Sequence, residues 1–207
     1  QPVTTPSLAR PARDLRLDIV RGWLQVSIFG AHAVGSAFGA FGIHAAWGFS
    51  DSSEQFLFLS GFVLASVHTL KAGREGGWAA THDPWHRAGR LWLVHLTLFL
   101  MTGALILWSE MGIPLPGEVD RLGWRMLADQ PFLALPGAAL LLYMPAYMDI
   151  LPVFILSMLA LPGFLWLARR IGVAALAAPG ALWGGVQLGL WQWPAWQSTA
   201  LEPFAWQ

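Results

Sequence analysis

A cation and an imidazole stand eleven positions apart in an otherwise apolar stretch near the start of the chain: Arg21 and His32. In a helix, eleven residues make about three turns plus 20°, so the two side chains share a face and are separated by a rise of roughly 16 Å. Asp18 and Gln25 fall on the same face. Because histidine is well suited to proton transfer near neutral pH, we interpret His32 as a candidate general base.

The same residues also have purely structural interpretations. An arginine near the end of a membrane span often extends its side chain to the interface, and Asp18 is spaced to pair with Arg21 on one helix. A histidine within a membrane can simply hydrogen-bond to a neighbouring helix. Ionisable groups within membranes are costly and usually line functional cavities, which favours the functional interpretation of the shared face.

Two carboxylates open the next apolar segment, Asp51 and Glu54. Their spacing predicts a capping box in which Asp51 caps the helix and Glu54 reaches back to it. Alternatively, one of them orients the imidazole of His32 or binds a sugar hydroxyl. Further along this helix, Ser60 and Gly61 form a small patch that suits either helix packing or the approach of a ligand chain.

Arg87 and Arg90 lie three residues apart at the start of another apolar segment, so both can face one anion. Anchoring on the positive side of a membrane explains them equally well. Arginine binds phosphate in a bidentate manner, so the pair also fits a phosphate-bearing substrate, with His86 beside it.

Other polar residues carry weaker signals. Asp149 precedes a predicted helix, where a negative charge suits the N-terminal dipole. His68 and His95 could ligate a haem between two helices, and this alternative stays open. His44 and His82 are predicted to lie in loops.

Composition indicates an integral membrane protein. Of the 207 residues, 56% are hydrophobic and 12% are charged, about half the usual charged share of a soluble domain. The net charge is zero, which gives no indication of nucleic-acid binding, and no motif for a phosphate-binding loop or a zinc site is present. The absence of cysteine excludes disulfides, thiolate metal sites and a cysteine nucleophile.

The predicted fold is an all-α polytopic bundle with about five transmembrane helices, since a span needs about 20 apolar residues. A cytoplasmic tail, residues 1–16, precedes a membrane domain, residues 17–207. The predicted spans cover residues 17–36, 51–70, 89–108, 150–168 and 171–193. Prolines cut residues 130–148 into pieces too short to cross, which predicts an interfacial segment.

Basic residues predict the orientation of these spans. With the N-terminus in the cytoplasm, ten of the twelve lysines and arginines face inside. The exceptions, Arg121 and Arg125, stand among acidic residues. The chain starts with Gln1 and stops soon after an apolar segment, so we expect it to be a fragment.

Several short sequence motifs together resemble those of the transmembrane acyltransferase superfamily of the acyltransferase-3 type, and within it those of the OpgC-like family. The shared superfamily features are the spacing of Arg21 and His32, the phrase FLSGF and the Arg-x-x-Arg of Arg87 and Arg90. The OpgC-like branch is favoured by DSSEQF and MDILP. These phrases run through most of the chain from residue 13 onward, which would correspond to about half of a protein with roughly ten spans.

The resemblance implies an O-succinyltransferase of the bacterial inner membrane that moves a succinyl group from cytoplasmic succinyl-CoA to hydroxyls of a periplasmic glucan. Together with the spacing of the residues, it makes His32, Arg21, Asp18 and Glu54 candidates for catalysis, and Arg87, Arg90, Asp51, Ser60 and Asp149 candidates for substrate binding. No metal or permanently bound cofactor is expected, and the partners are the bilayer, acyl-CoA and the glycan. Two other functions stay open: a non-catalytic transporter or export partner, and an acetyltransferase for another envelope polysaccharide.

Overall fold

The computed structural model describes residues 14–33, 37–42, 47–48, 50–112 and 117–190. All regular secondary structure in these ranges is helical. The chain divides into two compact units, Gln1–Leu64 and Ala65–Gln207. Most of the predicted cytoplasmic tail and the loop around His44 lie outside the described residues, so those predictions are untested.

The first unit contains α1 (Leu15–His32), the short α2 (Ala37–Phe41) and the first half of α3 (Ser52–Glu75). Asp14 caps α1 by accepting a hydrogen bond from the backbone N–H of Arg16 at 3.0 Å. Helix α1 packs against α2, and the residues it buries most deeply are Leu24, Ser27 and Gly30. Most other residues of α1 are exposed in this unit, which fits a helix that completes its packing against lipid or further protein.

Helix α4 (Gly77–Gly112) begins one residue after α3 ends, and Gly76, with φ 91°, makes the turn between them. The prediction of a loop before residue 89 was therefore wrong, and His82 is helical. The reason is a buried stripe at helical spacing, Ala80, Pro84 and Ala88, which continues into the apolar span. Pro84 lies inside this helix and removes one backbone hydrogen bond, but the packing of the buried face outweighs that loss.

The main contact of the second unit is between α4 and α8 (Ile150–Ile171). Ala88 on α4 and Ile155 on α8 belong to one buried apolar cluster. The indole N–H of Trp85 donates to the carbonyl of Leu159 at 3.2 Å, and that of Trp92 donates to Ala139 at 2.8 Å. These bonds hold α4 to both of its neighbours.

Three short helices, α5 (Glu118–Arg121), α6 (Arg125–Asp129) and α7 (Pro131–Ala139), form a cap against α4. Its core contains Phe99 of α4 together with Trp124 and Tyr143. The rings of Phe99 and Trp124 lie 5.0 Å apart between centroids. Helix α7 has nine residues and is too short to span a bilayer, as predicted, although it continues through Pro136, where a break was expected. Its location at the interface stays a prediction.

The two arginines predicted to lie on the outer side, Arg121 and Arg125, each form an ion pair with an acidic residue of this cap. Arg121 binds both carboxylate oxygens of Glu118, and Arg125 binds those of Asp120. Hydrogen bonds from these arginines lower the pKa of both carboxyl groups. Their positive charge is therefore balanced locally, and the predicted orientation of the chain stays a prediction.

Helix α8 ends at Gly172, whose φ of 61° interrupts the apolar stretch Ile150–Gln187. A 3-10 turn (Gly172–Leu176) and α9 (Ala177–Gln187) follow. The fifth predicted span, residues 171–193, thus contains a helix of eleven residues before the described part of this region ends at residue 190.

Within the described ranges, three helical stretches are long and apolar enough to cross a membrane: Ser52–Glu75, Gly77–Gly112 and Ile150–Gln187. Together with the composition, they identify a helical membrane protein. Helix α1 is not among them, because its eighteen residues include Arg16, Asp18 and Arg21.

Tyr143 links the core of the cap to a turn, because its hydroxyl donates to the carbonyl of Gly123 at 2.8 Å. Tyr143→Phe should lower the free energy of unfolding by about 1 kcal/mol, since the buried carbonyl loses its donor. Burial raises the pKa of Tyr143 to about 12, above about 10 in an unfolded chain.

The contribution of Tyr143 should therefore be complete below about pH 10 and be lost as the pH rises towards 12, because the unfolded state releases the proton first. Thermal melts of the purified full-length protein and the Tyr143→Phe variant, at neutral pH and at about pH 11, measure this. An equal difference between the two proteins at both pH values would contradict it.

Candidate functional site

The polar stripe of α1 lies on one uninterrupted helix, as the spacing predicted. Asp18 and Arg21 are half-buried, whereas Gln25 and His32 are exposed. Because the helix is regular from Leu15 to His32, Arg21 and His32 keep the shared face and the rise of roughly 16 Å expected of eleven helical residues. Whether the stripe is catalytic stays a prediction.

Arg21 turns towards α3, where its guanidinium carbon lies 5.7 Å from the centre of the Phe56 ring. This distance is within the range of a cation–π contact. Its Nε atom is buried and has no hydrogen-bond partner among the described residues. The contact directs the arginine onto a neighbouring helix, which favours an internal role for Arg21 over simple extension to the interface.

His32 is the last residue of α1 and is exposed. A histidine in the last turn suits the negative end of the helix dipole, so the position also has a local structural reason. The exposed ring is accessible to a substrate that approaches this end of the helix. Accessibility is a requirement for a base that must reach the hydroxyl of a large acceptor.

The carboxylate of Glu54 accepts a hydrogen bond from the backbone N–H of Asp51 at 3.2 Å and another from the hydroxyl of Ser50 at 2.9 Å. The first bond is the reciprocal half of the predicted capping box. The carboxylate of Asp51 accepts from the N–H of Ser52 at 2.5 Å. Both carboxylates therefore stabilise the start of α3, and none of these bonds involves His32.

An open groove of about 490 Å³ lies at this same helix end. Its volume is in the range of small-ligand sites. Ser50, Glu54 and Gln55 supply polar groups, and Phe58 and Leu59 supply an apolar wall. The groove combines hydrogen-bonding groups with an aromatic face, so it can hold a polar ligand that also has an apolar side.

Ser60 is half-buried, and its hydroxyl finds no hydrogen-bond partner in the described part of the chain. A side chain added at Gly61 would meet no atom within 4 Å. The first unit thus leaves this patch of α3 open, which is compatible with the approach of a ligand chain or of a further helix.

Arg87 and Arg90 lie on the exposed side of α4. Arg87 forms an ion pair with Asp83, its Nη2 lying 3.4 Å from the carboxylate. Arg90 has no ion pair with any described residue. The two arginines are close in sequence, but only the charge of Arg87 is balanced by a carboxylate among the described residues. His86 stacks on His82 with ring centres 6.1 Å apart.

Asp149 caps the start of α8 with an exposed side chain that makes no capping hydrogen bond. A negative charge at this position interacts favourably with the helix dipole, as predicted. Asp149 belongs to the second unit, whereas His32 belongs to the first.

His68 and His95 are both buried, and their ring nitrogens have no hydrogen-bond partner among the described residues. No cluster of three or more histidine or acidic side chains in those residues has the arrangement of a metal site. The haem hypothesis stays a prediction without a contact in its favour.

Sequence reasoning missed Phe56 and Asp83. Phe56 contacts Arg21 across two helices, so only the packing of α1 and α3 could reveal it. Asp83 stands four residues before Arg87, which is the spacing of a helical ion pair. That signal was readable, but the assumed loop before residue 89 concealed it.

Comparison with known proteins gives one match. The family described as OpgC protein matches residues 13–207. No curated protein and no solved structure matches the chain.

Proposed function

Because the chain belongs to the OpgC protein family, we propose that it is a membrane O-acyltransferase that moves a succinyl group from cytoplasmic acyl-CoA to hydroxyls of a periplasmic glucan. Family membership supports the coarser role, a glucan-modifying acyltransferase. The apolar helices support a location in a bilayer. The succinyl group, the direction of transfer and the residue roles are the proposal.

The proposed topology has five spans with the N-terminus in the bacterial cytoplasm. Helix α1 and the segment that includes α9 are the two spans added to the three apolar stretches. The hairpin formed by the end of α3 and the start of α4, which includes Arg87 and Arg90, then lies inside, and the cap with its two balanced arginines lies outside. This arrangement puts a cationic surface where a cytoplasmic donor arrives and leaves His32 in the outer half.

In the proposed reaction, the imidazole of His32 takes the proton from a glucan hydroxyl. The hydroxyl oxygen attacks the thioester carbonyl and forms the new ester bond. The carbon–sulfur bond breaks, and the imidazolium returns the proton to the leaving thiolate. We assign Arg21 to contact with the donor or with Asp18, and Glu54 and Asp51 to the acceptor side beside the groove.

The observation that carries this proposal is the regular helix α1, on which Arg21 and His32 share a face while Arg21 turns inward onto Phe56. A polar stripe that runs from an arginine in contact with a neighbouring helix to an exposed histidine suits a path between a donor on one side and an acceptor on the other.

The direct test uses the full-length protein expressed in cells that lack their own glucan succinylation. Mass spectrometry of the periplasmic glucan should detect succinyl esters that depend on the protein. Acetyl esters instead would identify the acetyltransferase alternative. An unmodified glucan, with purified protein that transfers no acyl group from succinyl-CoA, would contradict the proposal and favour a transport role.

The donor site makes a specific prediction about Arg90 and Arg87. Arg90→Ala should raise the KM for succinyl-CoA more than Arg87→Ala does, because Arg90 has no ion pair in the described region while Asp83 already pairs with Arg87. We expect about tenfold for Arg90, the loss of one charged hydrogen bond to phosphate. Steady-state kinetics of purified protein measure it, and equal KM values in wild type and both variants would contradict it.

A further inference from the structure

Asp83 joins two cations across the hairpin between α3 and α4. Its Oδ1 lies 3.5 Å from the ammonium of Lys71, near the end of α3, and its Oδ2 lies 3.4 Å from Nη2 of Arg87. The tight turn at Gly76 brings the two helix ends close enough for this bridge. Lys71 and Arg87 therefore converge on opposite oxygens of one carboxylate.

The bridge is weak and accessible. Both of its contacts are longer than a normal charged hydrogen bond, and the side chain of Asp83 is 33% exposed. Ion pairs of this kind contribute little to stability. Lys71 also approaches Glu75, at 3.8 Å, within its own helix. A phosphate monoester, or a diphosphate taken as a whole, carries more negative charge than one carboxylate, so either can compete with Asp83 for both cations.

The charges around the bridge are mostly positive. Arg90 follows Arg87 by one helical turn and forms no ion pair with a described residue. Arg74 follows Lys71 in the same way on α3. The hairpin thus presents one bridged pair of cations beside two further arginines that form no ion pair with a described residue, and this surface fits a ligand with more than one phosphate group.

We propose that Lys71 is a third cation of the acyl-CoA site and that Asp83 occupies the position of a ligand phosphate until the donor binds. This inference rests on the proposed function. Coenzyme A carries a diphosphate and a 3′-phosphate, so its nucleotide end offers separate anions to Arg90 and to the bridged pair.

The test measures binding of coenzyme A and of adenosine 3′,5′-bisphosphate to purified full-length protein by calorimetry. Lys71→Ala should raise both Kd values by about tenfold, the effect expected from the loss of one charged hydrogen bond. Lys71→Arg should restore most of the affinity. Asp83→Asn should tighten binding by about two- to fivefold, because the competing carboxylate is gone.

Arg170→Ala is the matched control. It removes the same charge from an exposed residue of α8, whose guanidinium instead contacts the ring of Trp166 at 5.0 Å. It should leave both Kd values unchanged. An unchanged Kd in Lys71→Ala, an equal loss in Arg170→Ala, or weaker binding in Asp83→Asn would each overturn the inference.

A second measurement separates a donor contact from a general structural effect. With a succinyl thioester of N-acetylcysteamine, which lacks all phosphates, the kinetics of Lys71→Ala should equal those of the wild type. A similar loss with both donors would mean that Lys71 only holds the hairpin. If the wild type binds coenzyme A through Lys71 yet transfers no acyl group, the proposed function fails and this inference stands.

Discussion

His32→Ala, made in the full-length protein, is expected to lower kcat for glucan acylation by about 10²–10⁴-fold, the usual contribution of a general base. The KM for succinyl-CoA should stay within about twofold, because His32 acts on the acceptor hydroxyl and is not one of the proposed donor contacts. Rates measured with purified protein and isolated glucan test both values.

Gln25→Ala is the matched control, because Gln25 is exposed on the same helix and the same face but has no proton to exchange near neutral pH. It should retain most of the activity. His32→Gln keeps a hydrogen-bonding side chain of similar length and should be as inactive as His32→Ala, since an amide is not a base.

Added imidazole should partly restore His32→Ala, because the end of α1 is exposed and a small base can enter there. A structural role for His32 would not give this rescue. Full glucan succinylation by His32→Ala would show that His32 is not the base. It would favour a role in packing or transport for the polar stripe of α1.

Trp124→Ala is expected to lower the free energy of unfolding by about 3–5 kcal/mol, the cost of deleting a large buried aromatic side chain. Trp124 is 0% exposed and fills the core of the cap against Phe99. A side chain added at Gly103 would lie only 2.9 Å from its ring, so α4 approaches the indole as closely as packing allows. Thermal melts and limited proteolysis of the cap measure the loss.

Trp124→Phe is the informative control. The indole N–H is buried without a hydrogen-bond partner among the described residues, so its removal leaves no acceptor unsatisfied. Phenylalanine keeps most of the ring volume and should therefore cost much less than alanine. If the two variants were equally destabilised, the contribution of Trp124 would come from a polar contact and the packing argument would be wrong.

Much of the candidate site could be predicted because it depends on local spacing. The alignment of Arg21 with His32 and the bond from Asp51 to Glu54 both arise within one helix, so the helical repeat is enough. The assignment as a membrane protein was also predictable, because it follows from the length of the apolar segments. The family resemblance was confirmed over residues 13–207.

The wrong prediction has an equally physical cause. The residues before 89 contain Pro84 and several charged side chains, and each of these features is typical of a break. They form a helix because every fourth residue from Ala80 to Ala88 is buried. Burial against a distant segment is a property of the whole fold, and local propensity does not report it.

The sequence by itself determined a helical membrane protein, its charge pattern and the polar stripe of α1, since each depends on composition or on residues a few turns apart. Only the tertiary structure decided that Arg21 faces Phe56, that Asp83 also reaches Lys71 across the turn, and that Trp124 and Tyr143 build a cap on α4. These contacts connect residues on different helices or across a turn. Their formation depends on how the helices pack, which no single stretch of residues encodes.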